Sequence, residues 1–239
     1  MKKIIALLTI ILLSVGAFSQ NLTFGPKIMG NLSLPKTLDE VKTKKGGLIK
    51  DGSTKLYDYT ESIKYDTKTS FGVSLFLQSD IKLNDNWGII AGFGIFDYYQ
   101  FKINHTIDRV QNNYNLSDTS LINTVTSTQK VEATYKYTFL TLEAMLKYSF
   151  DKLNIFIGPS FMFNVNSKVK TSSEYDDGKY LTPVVNLKVG LNYDLELSEN
   201  MIIAPEVNFA YPLSNIREDD YFKAKLMNLG IGVALKYNL

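Results

Sequence analysis

Apolar and polar residues alternate with a period of two along most of this chain, and the alternation recurs eight times, which predicts eight β-strands with one greasy and one wet face. The clearest stretch is 181–197. Leu181, Pro183, Val185, Leu187, Val189, Leu191, Tyr193, Leu195 and Leu197 share one face, against Thr182, Val184, Asn186, Lys188, Gly190, Asn192, Asp194 and Glu196. In 71–83, Phe71, Val73, Leu75, Leu77, Ile81 and Leu83 oppose Gly72, Ser74, Gln78, Asp80 and Lys82. The last strand, 227–239, sets Leu229, Ile231, Val233 and Leu235 against Asn228, Gly230, Gly232 and Lys236. Similar patterns cover 22–33, 87–104, 131–150, 154–168 and 201–214. Within 131–150 the phase slips near Phe139–Leu140, which predicts a bulge there. Pro26, Pro159 and Pro205 fall inside strands and cost a ladder bond, so bulges are expected beside them too.

The connections alternate between short and long. Asn84-Asp85-Asn86, Asp151-Lys152-Leu153 and Ser198-Glu199-Asn200 are tight polar turns, separated by polar loops near 34–69, 105–130, 169–180 and 215–222. Short turns at one end and long loops at the other predict an all-β fold: an eight-stranded antiparallel up-and-down transmembrane β-barrel with both termini periplasmic. A soluble barrel of the same strand number would turn its apolar face inward. Here the small residues that suit a crowded interior, such as Gly72, Gly88, Gly92 and Gly190, lie on the polar face, which favours apolar-out. Trp87, Tyr148, Phe150, Tyr193 and Tyr237 fall near the turn ends of outward faces. Tyr99, Phe101, Tyr135, Tyr137, Phe163, Phe209 and Tyr211 fall near the loop ends, so two aromatic belts are expected at the membrane interfaces.

The first residues bear on location. Lys2 and Lys3 precede an apolar run from 4 to 15, and Ala17-Phe18-Ser19 sets small residues where a signal peptidase cuts. Residues 1–19 are therefore expected to be a cleaved signal peptide and 20–239 the barrel domain. The formal charge of the 239-residue chain is +2, and loss of the two lysines leaves it balanced. A balanced chain without a basic run argues against a nucleic-acid partner. There is no cysteine, which excludes disulfides, thiol catalysis and cysteine-bound metals. Hydrophobic residues reach 45%, yet mean hydropathy is −0.06. That fine mixing is how strand-spanning membrane proteins differ from helical ones.

Three segments carry a family resemblance. Phe24-Gly25-Pro26-Lys27-Ile28-Met29-Gly30-Asn31-Leu32-Ser33 resembles the opening strand of the PorT-like outer-membrane β-barrel domain. Residues 139–150, with Leu140, Leu142-Glu143 and Leu146-Lys147-Tyr148, are similar to its central strand, and Gly158-Pro159-Ser160 follows as in that family. The closing stretch 229–239 is similar to its last strand. Thr141 and Ala144 depart from the central pattern, and the chain ends in Leu239 where many barrels end in Phe. The resemblance implies a barrel in the cell outer membrane and little about activity, because that family is functionally heterogeneous.

Few residues suggest chemistry. The one histidine, His105, has Ser117, Asp118 and Ser120 in the loop beyond it, a set that lipid A-modifying barrels also place near the rim. Such a site needs base and nucleophile within hydrogen-bond reach. Gly92-Phe93-Gly94 and Gly230-Ile231-Gly232 precede no helix and so form no phosphate loop. The carboxylates of loop 34–69 lack the spacing of a calcium loop. No cofactor, metal or catalytic set is expected. More informative are the inward charges: Asp80, Lys147, Asp194 and Lys236 low in the lumen, and Lys27, Glu143 and Glu206 near its middle. Side chains nearly fill an eight-stranded bore, so these ions are expected to pair. The expected role is a non-enzymatic barrel presenting long loops, 34–69 and 105–130, to other envelope proteins, with outer-membrane lipid around it. A narrow channel and a rim-sited lipid-modifying enzyme are the alternatives. The alternation of 98–104 and 131–138 also runs past the expected membrane edge, predicting a projecting two-stranded ribbon with edges open to a partner strand.

Overall fold

The computed structural model describes residues 22–37, 40–50, 54–115, 120–171, 183–218 and 223–238. The expected signal peptide and most of loop 169–180 lie outside the described residues. Those described form twelve strands: β1 (Leu22–Thr37), β2 (Glu40–Lys50), β3 (Thr54–Lys68), β4 (Ser70–Lys82), β5 (Trp87–Asn115), β6 (Leu121–Phe150), β7 (Leu153–Thr171), β8 (Val184–Tyr193), β9 (Leu195–Ser198), β10 (Met201–Pro212), β11 (Arg217–Glu218) and β12 (Lys223–Asn238).

Eight of them close a ring. Antiparallel pairing runs β1–β4–β5–β6–β7–β8–β10–β12 and returns from β12 to β1. β9 continues β8 beyond Asp194 and pairs with β10, and β11 caps β12. Closure leaves the ring no free edge. In β4 the residues Gly72, Ser74, Phe76, Gln78 and Asp80 are buried while Phe71, Val73, Leu75 and Leu77 are exposed, so the apolar face looks outward. The same holds in β8, with Leu187, Val189 and Leu191 outside and Asn186, Lys188 and Gly190 inside.

The tight turns have local causes. Asn84 Oδ1 accepts from the backbone N–H of Asn86 at 3.0 Å and of Trp87 at 2.9 Å, closing the β4–β5 turn. Asp151 takes the left-handed conformation, φ 53°, that a two-residue turn demands. Beside these turns Trp87, Tyr148 and Phe150 form edge-to-face pairs at 4.8 and 4.6 Å, part of the expected turn-end belt.

Four expectations need correction. β6 keeps its phase unbroken, with Ala133, Tyr135, Tyr137, Phe139, Thr141, Glu143, Met145 and Lys147 all buried. The bulges sit instead on the strands beside Phe139–Leu140: at Ile95–Phe96 in β5 and at Val165 in β7. Each inserted residue flips the phase of its own strand above that level. Tyr99, Phe101, Tyr135 and Tyr137 therefore do not belong to the loop-end belt, because they point inward and are buried. The pairing register runs through Pro26, Pro159 and Pro205 without a shift. A strand residue aims its N–H at one neighbour only, so each proline forfeits at most one ladder bond and no residue need be inserted. Finally, segments 34–69 and 105–130 are largely strand. β2 and β3 form a hairpin, β3 pairs with Lys102–Asn115 of β5, and β5 pairs with β6 up to Leu121. The projecting ribbon exists, but β3 covers one of the edges expected to be open.

Candidate functional site

Two places stand out in this geometry, the interior of the ring and the sheet above it. The interior is filled in layers. Lowest, Lys147 Nζ lies 2.5 Å from Asp80 Oδ1, and Lys236 Nζ lies 3.3 Å from Asp80 Oδ2 and 2.7 Å from Asp194 Oδ1. Asn154 donates to Asp194 at 2.8 Å and to Asn192 at 2.7 Å. Glycine makes the room: Gly88 pairs with Lys147 across β5 and β6, and a Cβ there would sit 2.9 Å from Lys147 Cε.

The next layer joins Lys27 of β1, Glu143 of β6, Lys188 of β8 and Glu206 of β10. Lys188 Nζ is 2.7 Å from Glu143 Oε1, and Lys27 Nζ is 3.6 Å from Glu143 Oε2 and 3.3 Å from Glu206 Oε1. Asn208 donates to Glu206 at 2.8 Å. Both ammoniums also approach the Phe76 ring, at 4.9 and 5.3 Å from its centroid, where the ring face offers negative potential. Gly92 stands opposite Glu143 and leaves space for its carboxylate.

Above this layer lies a cavity of about 20 Å³, room for about one water. Asn31, Asp97, Asn186 and Asn228 contribute to its lining. Asp97 accepts from the hydroxyls of Ser74 and of Thr141, the latter at 2.6 Å, and faces no ammonium among the described residues. An apolar layer then closes the bore. Phe101 stacks on Tyr135 at 5.2 Å and on Tyr137 at 5.6 Å, and Phe139 follows at 5.8 Å from Tyr137. Ile103, Met162, Val184, Ile216 and Leu226 complete it.

All seven inward charges named from the sequence, Lys27, Asp80, Glu143, Lys147, Asp194, Glu206 and Lys236, meet in these two layers. Sequence reasoning left out Lys188 and Asp97. Lys188 was legible, since it sits on the wet face of the clearest strand. Asp97 was not, because the bulge at Ile95–Phe96 decides its face.

The second place is the four-stranded sheet β2–β3–β5–β6. From Ile103, in the aromatic layer, β5 climbs twelve residues to Asn115, roughly 40 Å of strand. Cross-strand polar pairs knit it. Arg109 Nη2 lies 2.5 Å from Glu61 Oε2, Lys102 Nζ 3.1 Å from Glu132 Oε1, and Thr128 donates to Asp108 at 2.8 Å. The hydrogen bond to Glu61 raises the Arg109 pKa, and the one from Lys102 lowers that of Glu132. His105 lies in this sheet, paired with Tyr65 and Val131, its ring edge-on to Tyr65 at 5.1 Å. Ser120 stands at the hairpin tip, ten residues up the strand and so roughly 30 Å away. Ser117 and Asp118 lie outside the described residues. The structure thus does not bring His105 and Ser120 together.

A family model described as outer membrane protein beta-barrel domain matches residues 19–218. No curated protein sequence matches the chain. Among solved structures, OprG of Pseudomonas aeruginosa is 15% identical with a TM-score of 0.43, covering 90% of this chain and 97% of its own. Ail of Yersinia pestis, solved with the heparin analogue sucrose octasulfate, is 13% identical with a TM-score of 0.36, covering 90% and 99%. The outer membrane protease OmpT of Escherichia coli is 8% identical with a TM-score of 0.40, covering 92% and 97%.

Proposed function

The chain belongs to the outer membrane protein β-barrel domain family, and from that premise we propose that it is a non-enzymatic, plugged barrel that holds the β2–β3–β5–β6 sheet outside the cell for an envelope partner. Its strands cross the cell outer membrane. The tight turns and both strand ends face the periplasm in this reading, and the sheet faces outward. The PorT-like affinity of its first, central and last strands is part of the same proposal.

The observation that carries it is the contrast between a bore crossed at three levels by buried side chains and a sheet that stands far clear of it. Ion layers at Asp80 and Glu143 and the stack at Phe101 set buried side chains across the bore at three levels, which supports a plugged reading. The charges serve as paired internal struts. A buried ion left alone costs several kcal/mol, so each one ties two or more strands together. The sheet carries β5 and β6 well beyond the ring as paired strand, and the outer edge of β2 has no partner strand among the described residues, which supports a role in binding another chain. The separation of His105 from Ser120 supports the non-enzymatic reading.

In vivo crosslinking followed by purification from native membranes tests this. Residues 106–128 are replaced by an Asn-Gly turn in one variant, and 37–66 are shortened in another. Both variants should still migrate faster unboiled than boiled, because the ring ladder loses at most the terminal Thr37–Ala224 pair. Partner crosslinks should vanish in the first, which also removes the β5 edge that β3 pairs with. Crosslinks that survive both changes would move the function to the lipid-facing or periplasmic surface.

A further inference from the structure

The wall at the base of the outer sheet carries a row of like charges that strand pairing alone does not explain. Lys68 of β3 stands directly opposite Lys102 of β5, Lys102 opposite Thr134 of β6, and Thr134 opposite Lys170 of β7. One step lower, Lys136 stands opposite Lys168. All five side chains point out of the ring. Phe101, Ile103, Tyr135 and Tyr137 are buried inside, and Tyr65 and Val169 pack on them from the same side, so the residues between them face outward. Around the wall, Lys36 of β1 stands opposite Lys225 of β12.

Like charges directly opposite on neighbouring strands destabilise a sheet. The nearest carboxylates on this face, Asp66 and Glu132, stand one row higher, Glu132 engaged by Lys102, and Asp108 further up is engaged by Lys64. Among the described residues Lys136, Lys168 and Lys170 have no carboxylate in salt-bridge range. The row also has a fixed height. Leu140, four residues below Lys136 or about 13 Å along the strand, pairs with Phe163, and both belong to the exposed apolar wall. The ammoniums therefore sit just above the hydrocarbon-facing belt. There a lysine lays its stem on apolar surface and holds its head among lipid headgroups.

We propose that this lysine row is a docking surface for a phosphate-bearing lipid headgroup of the outer leaflet. Two adjacent rows of ammoniums match an anion with several oxygens, and the apolar wall beneath receives its acyl chains. The bound phosphate offsets the repulsion between Lys68 and Lys102 and between Lys136 and Lys168, which locks the base of the sheet to the membrane surface. The inference rests on the outward-facing orientation of the sheet proposed above and not on the envelope partner.

The test uses full-length barrel in nanodiscs containing either bis-phosphorylated lipid A or the same lipid with both phosphates removed. Lipid retained per barrel after a mild detergent wash is counted by native mass spectrometry. Wild type should retain the phosphorylated form at least about tenfold more, with the difference shrinking as salt is raised, as screening requires. Replacing Lys68, Lys102, Lys136, Lys168 and Lys170 by Gln should remove the preference, while Lys82→Gln with Lys152→Gln at the turn end should leave it. If the fivefold variant fails to show heat-modifiable migration, Lys136→Gln with Lys170→Gln takes its place and should lower the preference several-fold. Equal retention of the two lipids by wild type would overturn the proposal. So would an undiminished preference in the folded variants, or displacement of the lipid by equimolar inorganic phosphate.

Discussion

Glu143→Gln removes the charge that holds the middle layer together. In the wild type its carboxylate sits 2.7 Å from Lys188 and 3.6 Å from Lys27. After the change Lys27 keeps Glu206 at 3.3 Å, but Lys188 has no other carboxylate in salt-bridge range among the described residues. Removing one partner of a buried pair costs about 3–5 kcal/mol, because a desolvated charge is stranded. Glutamine still offers an oxygen to Lys188, so a loss near the lower end, about 3 kcal/mol, is expected. Glu206→Gln should cost less, about 1–2 kcal/mol, since Lys27 retains Glu143 and only a charged hydrogen bond is weakened. Adding Lys188→Met to Glu143→Gln should restore most of the loss, because replacing both ions by neutral groups of similar volume is often nearly neutral. Urea unfolding in lipid vesicles, followed by tryptophan fluorescence and heat-modifiable migration, reads these differences. At a slope of roughly 2–3 kcal/mol per molar urea, Glu143→Gln should lower the midpoint by about 1 M. An unchanged midpoint, or a double variant no better than the single one, would refute the strut reasoning.

Two further changes probe the same structure. Gly92→Val places methyl groups where a Cβ already meets Glu143 Oε2 at 3.1 Å, so the carboxylate must leave its lysines. Overpacking of that kind should cost about 1–3 kcal/mol in the same assay, and a neutral outcome would mean the layer is looser than described. His105→Ala should leave lipid A mass spectra of the producing cells unchanged, and altered acylation would revive an enzymatic role.

Much of the ring was legible because a membrane barrel writes one bit per residue. Outward positions meet hydrocarbon and inward ones meet polar neighbours, so strands such as 181–197 announce both their faces. What remained hidden has particular causes. Ile95 and Phe96 are both apolar and both exposed, so nothing in the local sequence marks the inserted residue that sends Asp97, Tyr99 and Phe101 inward. Tyrosine and phenylalanine serve interface belts and interior stacks alike, and spacing alone assigned Tyr135 and Tyr137 to the belt. The hairpin β2–β3 has polar residues at most positions of both strands, so the apolar alternation that betrays other strands is weak there. Cross-lumen partners such as Lys188 and Glu143 depend on the stagger of strands that are not neighbours, which no single-strand pattern encodes.

Single-channel recording in planar bilayers tests most directly the claim that the bore is a strut-filled plug and the working surface lies outside it. Purified wild-type protein, shown by its fast unboiled migration to be folded, should produce no steady conductance at either polarity. Steady, ohmic channels of porin size from that folded protein would contradict the account.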